Sequence, residues 1–447
     1  MGTLSPRNVS TTLQRIADMA RESPERVFTS IHHAVDLELL REAYRRTRKD
    51  GAVGVDGQGS EAYAANLEQN LRSLRDRLKL GTYHAPPVRR VHIPKGDGVK
   101  TRPIGIPTFE DKVLQRAVTM VLEAIYEQDF KDCSYGFRPE RSAHQALEEI
   151  FQRMMKMHGG WVIELDIEKF FDRLDHRKLR DFLDQRVRDG VLRRALDKWL
   201  KAGVLEEERL SRPREGTPQG GVISPLLANV YLHEVLDRWF LEQIVPRLRG
   251  NSFLVRYADD AILVFSSEAD ARRVLAVLAQ RFNRFGLTLH PEKTRLVRFL
   301  CPPYLRKERL LPRDGGPESF DFLGFTHYWA KSQRGRWLVK KKTASERLRQ
   351  ALKRVSAWCR RYRHQKVAWQ HGRLARKILG HFAYYGVTGN DQQLSRFRDR
   401  VTRIWQQWLS RRSQSTPMPW DRFHRLLDRY PLPMPRIVHR VGHAANP

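Results

Sequence analysis

Phe253-Leu254-Val255-Arg256-Tyr257-Ala258-Asp259-Asp260-Ala261-Ile262-Leu263-Val264-Phe265 sets two adjacent acids inside an apolar run. The pattern predicts two strands joined by a tight hairpin turn, with Asp259 and Asp260 at its tip. Carboxylates flanked by buried strands are costly unless a cation neutralises them. A divalent metal is the natural partner, and Mg²⁺ takes carboxylates together with substrate phosphates. Asp is also a common turn residue, so these residues alone read as a solvated turn as well.

The rest of the chain favours the metal. Trp161-Val162-Ile163-Glu164-Leu165-Asp166-Ile167 reads as a second strand with an acid at its end, followed by Glu168-Lys169-Phe170-Phe171-Asp172. Two strands that each deliver an Asp can hold two metal ions, roughly 3.5–4 Å apart, which clamp the attacking and leaving oxygens of a phosphoryl transfer. The ligands are then Asp166 and Asp259, with Asp260 beside them. Taken singly, Asp166 also reads as a cap for the next helix. Between the acids, Gly216-Thr217-Pro218-Gln219-Gly220-Gly221-Val222-Ile223-Ser224-Pro225-Leu226-Leu227-Ala228-Asn229 is a Gly/Pro loop opening an apolar helix. Glycine lets backbone approach a ligand closely, and a helix N-terminus favours anions.

Composition points the same way. The chain has 447 residues with 82 Lys and Arg against 51 Asp and Glu, a formal charge of +31. Such an excess fits a polyanionic partner. From Lys331 to Pro447 there are 28 Lys and Arg against 5 Asp and Glu, so +23 of the charge lies in the last 117 residues. That asymmetry predicts a dedicated nucleic-acid grip joined to a milder catalytic body. Cys133, Cys301 and Cys359 are scattered, which excludes a disulfide framework or paired-cysteine zinc site and fits reduced cytoplasmic thiols. No stretch approaches about 18 apolar residues and no secretory leader is evident, so no membrane role is expected.

With these residues in view, the chain resembles a bacterial group II intron-encoded reverse transcriptase, a maturase of the compact type, over about residues 35–330. The blocks follow the family's order: Gly54-Val55-Asp56-Gly57, Ile93-Pro94-Lys95, Arg102-Pro103-Ile104-Gly105-Ile106-Pro107 and Ser134-Tyr135-Gly136-Phe137-Arg138-Pro139 with Arg141-Ser142. The Asp166 strand, the Gln219 loop, the Asp259 hairpin, Gly286-Leu287-Thr288-Leu289 with Lys293-Thr294, and Phe322-Leu323-Gly324-Phe325 complete the set. The resemblance implies an RNA-directed DNA polymerase that also binds group II intron RNA and assists splicing and mobility. Its metal positions would be Asp166, Ile167, Asp259 and Asp260, taking Mg²⁺ with Mn²⁺ as a substitute. Lys95 and Arg102 would grip the incoming triphosphate, and Gln219 would line the nucleotide pocket. Phe171 would reject a 2′-hydroxyl, because an apolar wall leaves it unsatisfied; it also reads as core. Lys293 would be a general acid for the leaving pyrophosphate, or simply an exposed loop lysine. Phe322, Leu323 and Gly324 would grip the primer end. The implied partners are dNTPs, an RNA template, a DNA or RNA primer, intron RNA and target DNA, in the bacterial cytoplasm or on the nucleoid. A domesticated relative serving repair or defence, and a polymerase-inactive RNA-binding maturase, are the alternative functions.

The same resemblance implies an α+β chain, a right-hand polymerase whose fingers and palm carry an antiparallel sheet, followed by an α-helical thumb. The expected divisions are an N-terminal extension over 1–50, fingers over 51–160, palm over 161–330, thumb over 331–412, and a short DNA-binding region over 413–447. The extension would contact template or simply pack. Apolar stripes support helices at Leu13, Ile16, Ala17 and Ala20, at Leu37, Leu40 and Tyr44, at Val113, Ala117, Val121 and Ala124, and near 268–285. In the basic tail, Thr343-x-x-Glu346 reads as a capping box opening a helix with Leu348, Leu352, Val355 and Cys359 on one face. Two more helices carry Leu374, Ile378 and Phe382, then Leu394, Phe397, Val401, Ile404 and Trp408. Gly380-His381-Phe382-Ala383-Tyr384-Tyr385-Gly386 resembles the family's maturase region. Prolines 417, 419, 431, 433 and 435 are expected to break regular structure, and the piece after Ser413 also reads as a tail over the thumb. No cysteine follows Cys359, so the paired-cysteine His-Asn-His nuclease of many relatives is not expected.

Overall fold

The computed structural model describes residues 7–94, 101–206, 209–211, 216, 220–302, 318–413 and 418–440. Helices Arg7–Glu22 (α1), Leu37–Arg46 (α2), Ser60–Ala64 (α3) and Leu67–Leu80 (α4) lead to strands Val88–Pro94 (β1) and Thr101–Ile106 (β2). Phe109–Asp129 (α5) and Ala143–Met157 (α6) follow, then Gly159–Leu165 (β3), His176–Asp184 (α7) and Gly190–Leu200 (α8). Val204–Glu206 (β4), Arg209–Ser211 (β5) and Ser224–Leu232 (α9) precede Ser252–Tyr257 (β6), Asp260–Phe265 (β7), Glu268–Arg284 (α10) and Arg295–Leu300 (β8). Phe320–Phe322 (β9), Phe325–Lys331 (β10) and Trp337–Thr343 (β11) form a small sheet. Ser345–Arg361 (α11), Val367–Tyr385 (α12), Asp391–Ser410 (α13) and Trp420–Arg429 (α14) are the last helices of the described residues.

The helix starts have local causes. Thr108 caps α5 by accepting from the Asp111 amide at 3.2 Å, and Glu110 and Asp111 face the positive end of the helix. Ser142 and Gln145 form a reciprocal capping box on α6. Ser267 caps α10 through the Asp270 amide, but Asp270 turns to accept from Arg249 and Gly250 rather than closing a box.

The acids sit on a four-stranded sheet of order β6-β7-β3-β8, antiparallel throughout. Its side chains alternate between two cores, as strand geometry requires. Trp161, Ile163, Leu165, Leu263 and Phe265 join one core, covered by Val274, Leu278 and Phe282 of α10. Val162, Phe253, Val255, Ile262 and Val264 join the other, covered by Leu147, Ile150 and Met154 of α6. The mixed helix and sheet content agrees with the α+β expectation. One element departs from it: β1 pairs with β4 in parallel within the sheet β2-β1-β4-β5, a crossover that no local pattern announced.

A third core lies wholly within α11 to α14 and the residues after them, with Leu374, Ile378, Phe382, Leu394, Val401, Trp405 and Phe423 fully buried. Two expectations are corrected there. Thr343 ends β11, its amide donating to Asn390 Oδ1, so α11 starts at Ser345 after Ala344 and has no side-chain cap. The proline-rich stretch is not irregular throughout, because α14 runs from Trp420 to Arg429 between Pro419 and Pro431. Proline is tolerated at a helix start, where its missing N–H would have no partner. Beyond α14 the chain turns back: Val438 and His439 donate their amides to Gly386 O, and the His439 ring stacks on His144 of α6 at 3.4 Å between centroids.

Candidate active site

The hairpin turn forms as its sequence predicts. Tyr257 pairs with Asp260, so Ala258 and Asp259 are the two connecting residues, and Ala258 takes a left-handed φ of 57°. On the neighbouring strand, Leu165 pairs with Ala261, which sets Asp166 and Asp260 one step beyond the last paired residues. The chain after Asp166 is held against a second segment: His290 N–H donates to Asp166 O at 2.8 Å, and Ile167 bridges Leu289. The three acids therefore share the end of one sheet.

Their electrostatics reflect that crowding. Burial pushes the Asp259 carboxyl above its ordinary range, Asp166 adds to the rise, and Arg102 and Arg256 oppose it. Solvent reaches Asp260, yet surrounding protein pushes its carboxyl up to about 6, with Asp259 and Asp166 adding and Arg347 and Arg102 opposing. Asp166 Oδ2 holds the Lys293 ammonium at 2.8 Å, with the lysine side chain 62% and the aspartate 34% exposed. Exposed pairs contribute about 0–1 kcal/mol, so this lysine is readily exchanged for another cation. Among the described residues no three acidic, His or Cys side chains converge closely enough to hold an ion as they stand. The donor chemistry nevertheless fits a hard divalent cation: three carboxylates, mutually repelling, with oxygen the only donor type.

A buried network fixes the turn from beneath. Arg256 is fully buried and forms a two-pronged pair with Asp237, Nε to Oδ1 at 2.7 Å and Nη2 to Oδ2 at 2.6 Å. Its Nη1 donates to Asn229 Oδ1 and to the Ala258 carbonyl, each at 3.0 Å. Asn229 Nδ2 in turn donates to Gly136 O at 2.8 Å. Gly136 lies flat against the turn, where a Cβ would collide with the Ala258 amide nitrogen. Asp237 ends a π-wound stretch, His233–Asp237, that continues α9. A π turn shifts the phase of the residues that follow it, and such turns recur at functional sites.

The other predicted positions divide into two groups. Phe171 is half-buried against the first core, with Phe170 edge-on at 5.3 Å. Gly216, at φ 88°, lies on the backbone of Phe171 and Asp172, and Gly220, at φ 116°, lies on Gly105 of β2. The two ends of the Gly/Pro loop are thus pinned between the Phe171 turn and the strand carrying Arg102. Lys95 and Gln219 fall outside the described residues. Val222 and Ile223 amides at the start of α9 donate to buried Gln115 Oε1, at 2.8 and 3.4 Å. Leu323 and Gly324 form the turn between β9 and β10, with Phe322 buried below. Tyr384 Oη donates to Leu323 O at 2.9 Å, and Arg347 packs by Gly324.

Sequence reasoning singled out neither Arg256 nor Asp237, nor Arg347 beside the Gly324 turn. A signal existed for the first: Arg256 is the sole basic residue inside an apolar strand, and a buried guanidinium requires a buried acid. Nothing in the sequence tied that acid to position 237.

A family model described as reverse transcriptase (RNA-dependent DNA polymerase) matches residues 93–327. The chain is 39% identical over 233 residues to the group II intron-encoded protein LtrA of Lactococcus lactis subsp. cremoris, covering 52% of this chain and 38% of LtrA. It is 36% identical over 288 residues to the protein YkfC of Escherichia coli K12, covering 57% of this chain and 75% of YkfC. Nuclear intron maturase 4, mitochondrial, of Arabidopsis thaliana is 28% identical over 197 residues, covering 44% of this chain and 23% of that protein. The chain therefore spans well under half the length of LtrA.

Proposed function

We propose, from the premise that the chain belongs to the reverse transcriptase (RNA-dependent DNA polymerase) family, that it copies RNA into DNA and works with structured RNA of the group II intron kind. The observation that supports the reading is the placement of Asp166, Asp259 and Asp260 at one sheet end, over a turn locked by Arg256. In this reading residues 51–160 are fingers, 161–330 the palm and 331–412 the thumb. Asp166, Asp259 and Asp260, with Ile167 alongside, would hold Mg²⁺ or Mn²⁺, which supplies charge neutralisation for phosphoryl transfer when bound.

The reaction joins the primer 3′-oxygen to the α-phosphorus of a dNTP and releases pyrophosphate. Catalysis of this kind rests on positioning and electrostatic stabilisation. Arg102 and Lys95 would take the triphosphate, since cationic donors suit phosphate oxygens. Phe171 would close the sugar site and Gln219 line the base pocket. Lys293, paired with Asp166 in this structure, would act as the general acid that donates a proton to the departing pyrophosphate. The turn of Leu323 and Gly324 would hold the primer end, braced by Tyr384. Group II intron RNA and target DNA are the further partners of this reading, and the basic C-terminal residues would carry much of their binding.

Extension of a DNA primer on an RNA template with Mg²⁺ tests the reading. Asp259→Asn abolishes extension and leaves RNA binding nearly intact. A variant that extends at the wild-type rate removes the metal assignment, and a wild-type protein that binds RNA without extending any primer establishes the polymerase-inactive alternative.

A further inference from the structure

We infer that an aromatic cradle at the junction of α11 and α12, formed by Trp358, Tyr362 and Trp369, binds unpaired bases of single-stranded RNA. The three rings pack on one another at the surface. Trp358 and Trp369 lie nearly parallel, 17° apart with centroids at 6.0 Å, and Tyr362 is 5.5 Å from each. Trp369 is 39% exposed, so aromatic surface is offered to solvent where burial would be the default.

Cations surround the rings. Arg373 stands 5.5 Å from the Trp369 centroid, Lys377 5.5 Å from Trp358, and Arg361 5.4 Å from Tyr362. Arg373, Lys377 and Arg376 line one groove with the three rings. None of the four cations has a carboxylate partner among the described residues. The sequence holds no Asp or Glu between Glu346 and Asp391, so the counter-charge must come from outside this stretch. Exposed aromatic faces beside unneutralised cations are the chemistry that stacks bases and follows phosphates in single strands. A duplex offers its bases only edge-on, so the rings select unpaired nucleotides.

The cradle is also rigid. Buried Gln370, one residue from Trp369, reaches the carbonyls of Tyr362, Arg363 and Gln365 through Nε2 at 2.8, 3.0 and 3.0 Å. Its Oε1 accepts from Trp405 Nε1 at 2.9 Å, in the centre of the helical core. The turn bearing Tyr362 is thereby tied to the start of α12, and little ordering is left for a ligand to impose.

The choice of RNA rests on the reverse transcriptase reading, and the test separates the two. Binding of the full-length protein to an oligouridylate of about 12 nucleotides, a length within the span of a single-strand site, is followed by fluorescence anisotropy. The same length of abasic RNA, of oligothymidylate, and of RNA duplex serve as comparison probes. Primer extension is measured in parallel. Wild-type protein binds oligouridylate roughly tenfold more tightly than abasic RNA, the gain from stacked bases. Trp369→Ala erases that difference, Trp369→Phe keeps most of it, and neither changes duplex binding or primer extension. Equal wild-type affinity for oligouridylate and abasic RNA overturns the inference without any variant. So does an unchanged preference in a folded Trp369→Ala. Tighter binding to oligothymidylate than to oligouridylate replaces RNA with single-stranded DNA and likewise overturns it. Absence of primer extension with the base preference intact refutes the polymerase reading alone.

Discussion

Phe171 shows how one side chain at a boundary serves two demands. It packs half-buried on the first core, while its backbone supports Gly216 at one end of the Gly/Pro loop. Phe171→Ala should open room for a 2′-hydroxyl and raise ribonucleotide incorporation relative to deoxyribonucleotide. Single-nucleotide insertion with matched dNTP and rNTP reads the ratio, and an unchanged ratio assigns Phe171 to the core alone. His327 poses a different problem. It is fully buried, stacks parallel on Phe320 at 4.6 Å, and neither ring nitrogen has a hydrogen-bond partner among the described residues. Burial first, and the neighbouring Lys341 second, hold its pKa well below the ordinary range. The fold therefore requires neutral His327, whereas the unfolded chain binds a proton below about 6.5. The stability tied to the neutral ring is present above that pH and lost as pH falls. His327→Phe should raise the melting temperature at neutral pH, with a margin over wild type that widens from about pH 7 to about pH 5. A margin that stays flat with pH would mean the ring is not held neutral. The position of the acids at a sheet end was legible, because the apolar runs beside them read as strands that stop there. The polar poverty around His327 was not, since it depends on strands that meet only in three dimensions.

The hairpin of β6 and β7 rests on α9 and its π-wound continuation, which supply Asn229 and Asp237 beneath it. Removing one partner of a buried pair strands the other charge, at a cost of about 3–5 kcal/mol. Asp237→Ala should lower unfolding free energy by about that much and weaken primer extension even where the protein stays folded, because Ala258 loses its Arg256 anchor. Denaturant unfolding measures the first, and a loss below about 1 kcal/mol would show that the guanidinium finds other partners. At this scale the sequence was uneven. Stripes such as Val274, Leu278 and Phe282 named their helices, because a 3.6-residue period is a local property. The start of α11 was misplaced because β11 consumed Thr343, and α14 was missed because proline stops helices in their interiors but not at their ends.

For the whole molecule, charge and cores divide the chain alike. The third core belongs to α11 and the residues after it, and the last 117 residues carry 28 Lys and Arg against 5 Asp and Glu. Ending the chain at Ala344 keeps β11 on its sheet and removes most of that charge. Such a protein should bind primer–template more weakly and with a shallower fall of log affinity against log salt, since fewer counterions are released. A folded truncation with the full-length slope would place the main grip elsewhere; a melting curve establishes that it is folded. The charge asymmetry was plain in the sequence, but the route of the final residues was not. Val438 and His439 come back to Gly386, and the His439 ring lies on His144. The His439 ring thus closes a contact with a helix far earlier in the chain. Contacts of such long sequence separation carry a loop-closure cost and form slowly, so the strands of the acid-bearing sheet, which lie closer together in sequence, need not wait for this tie to pair.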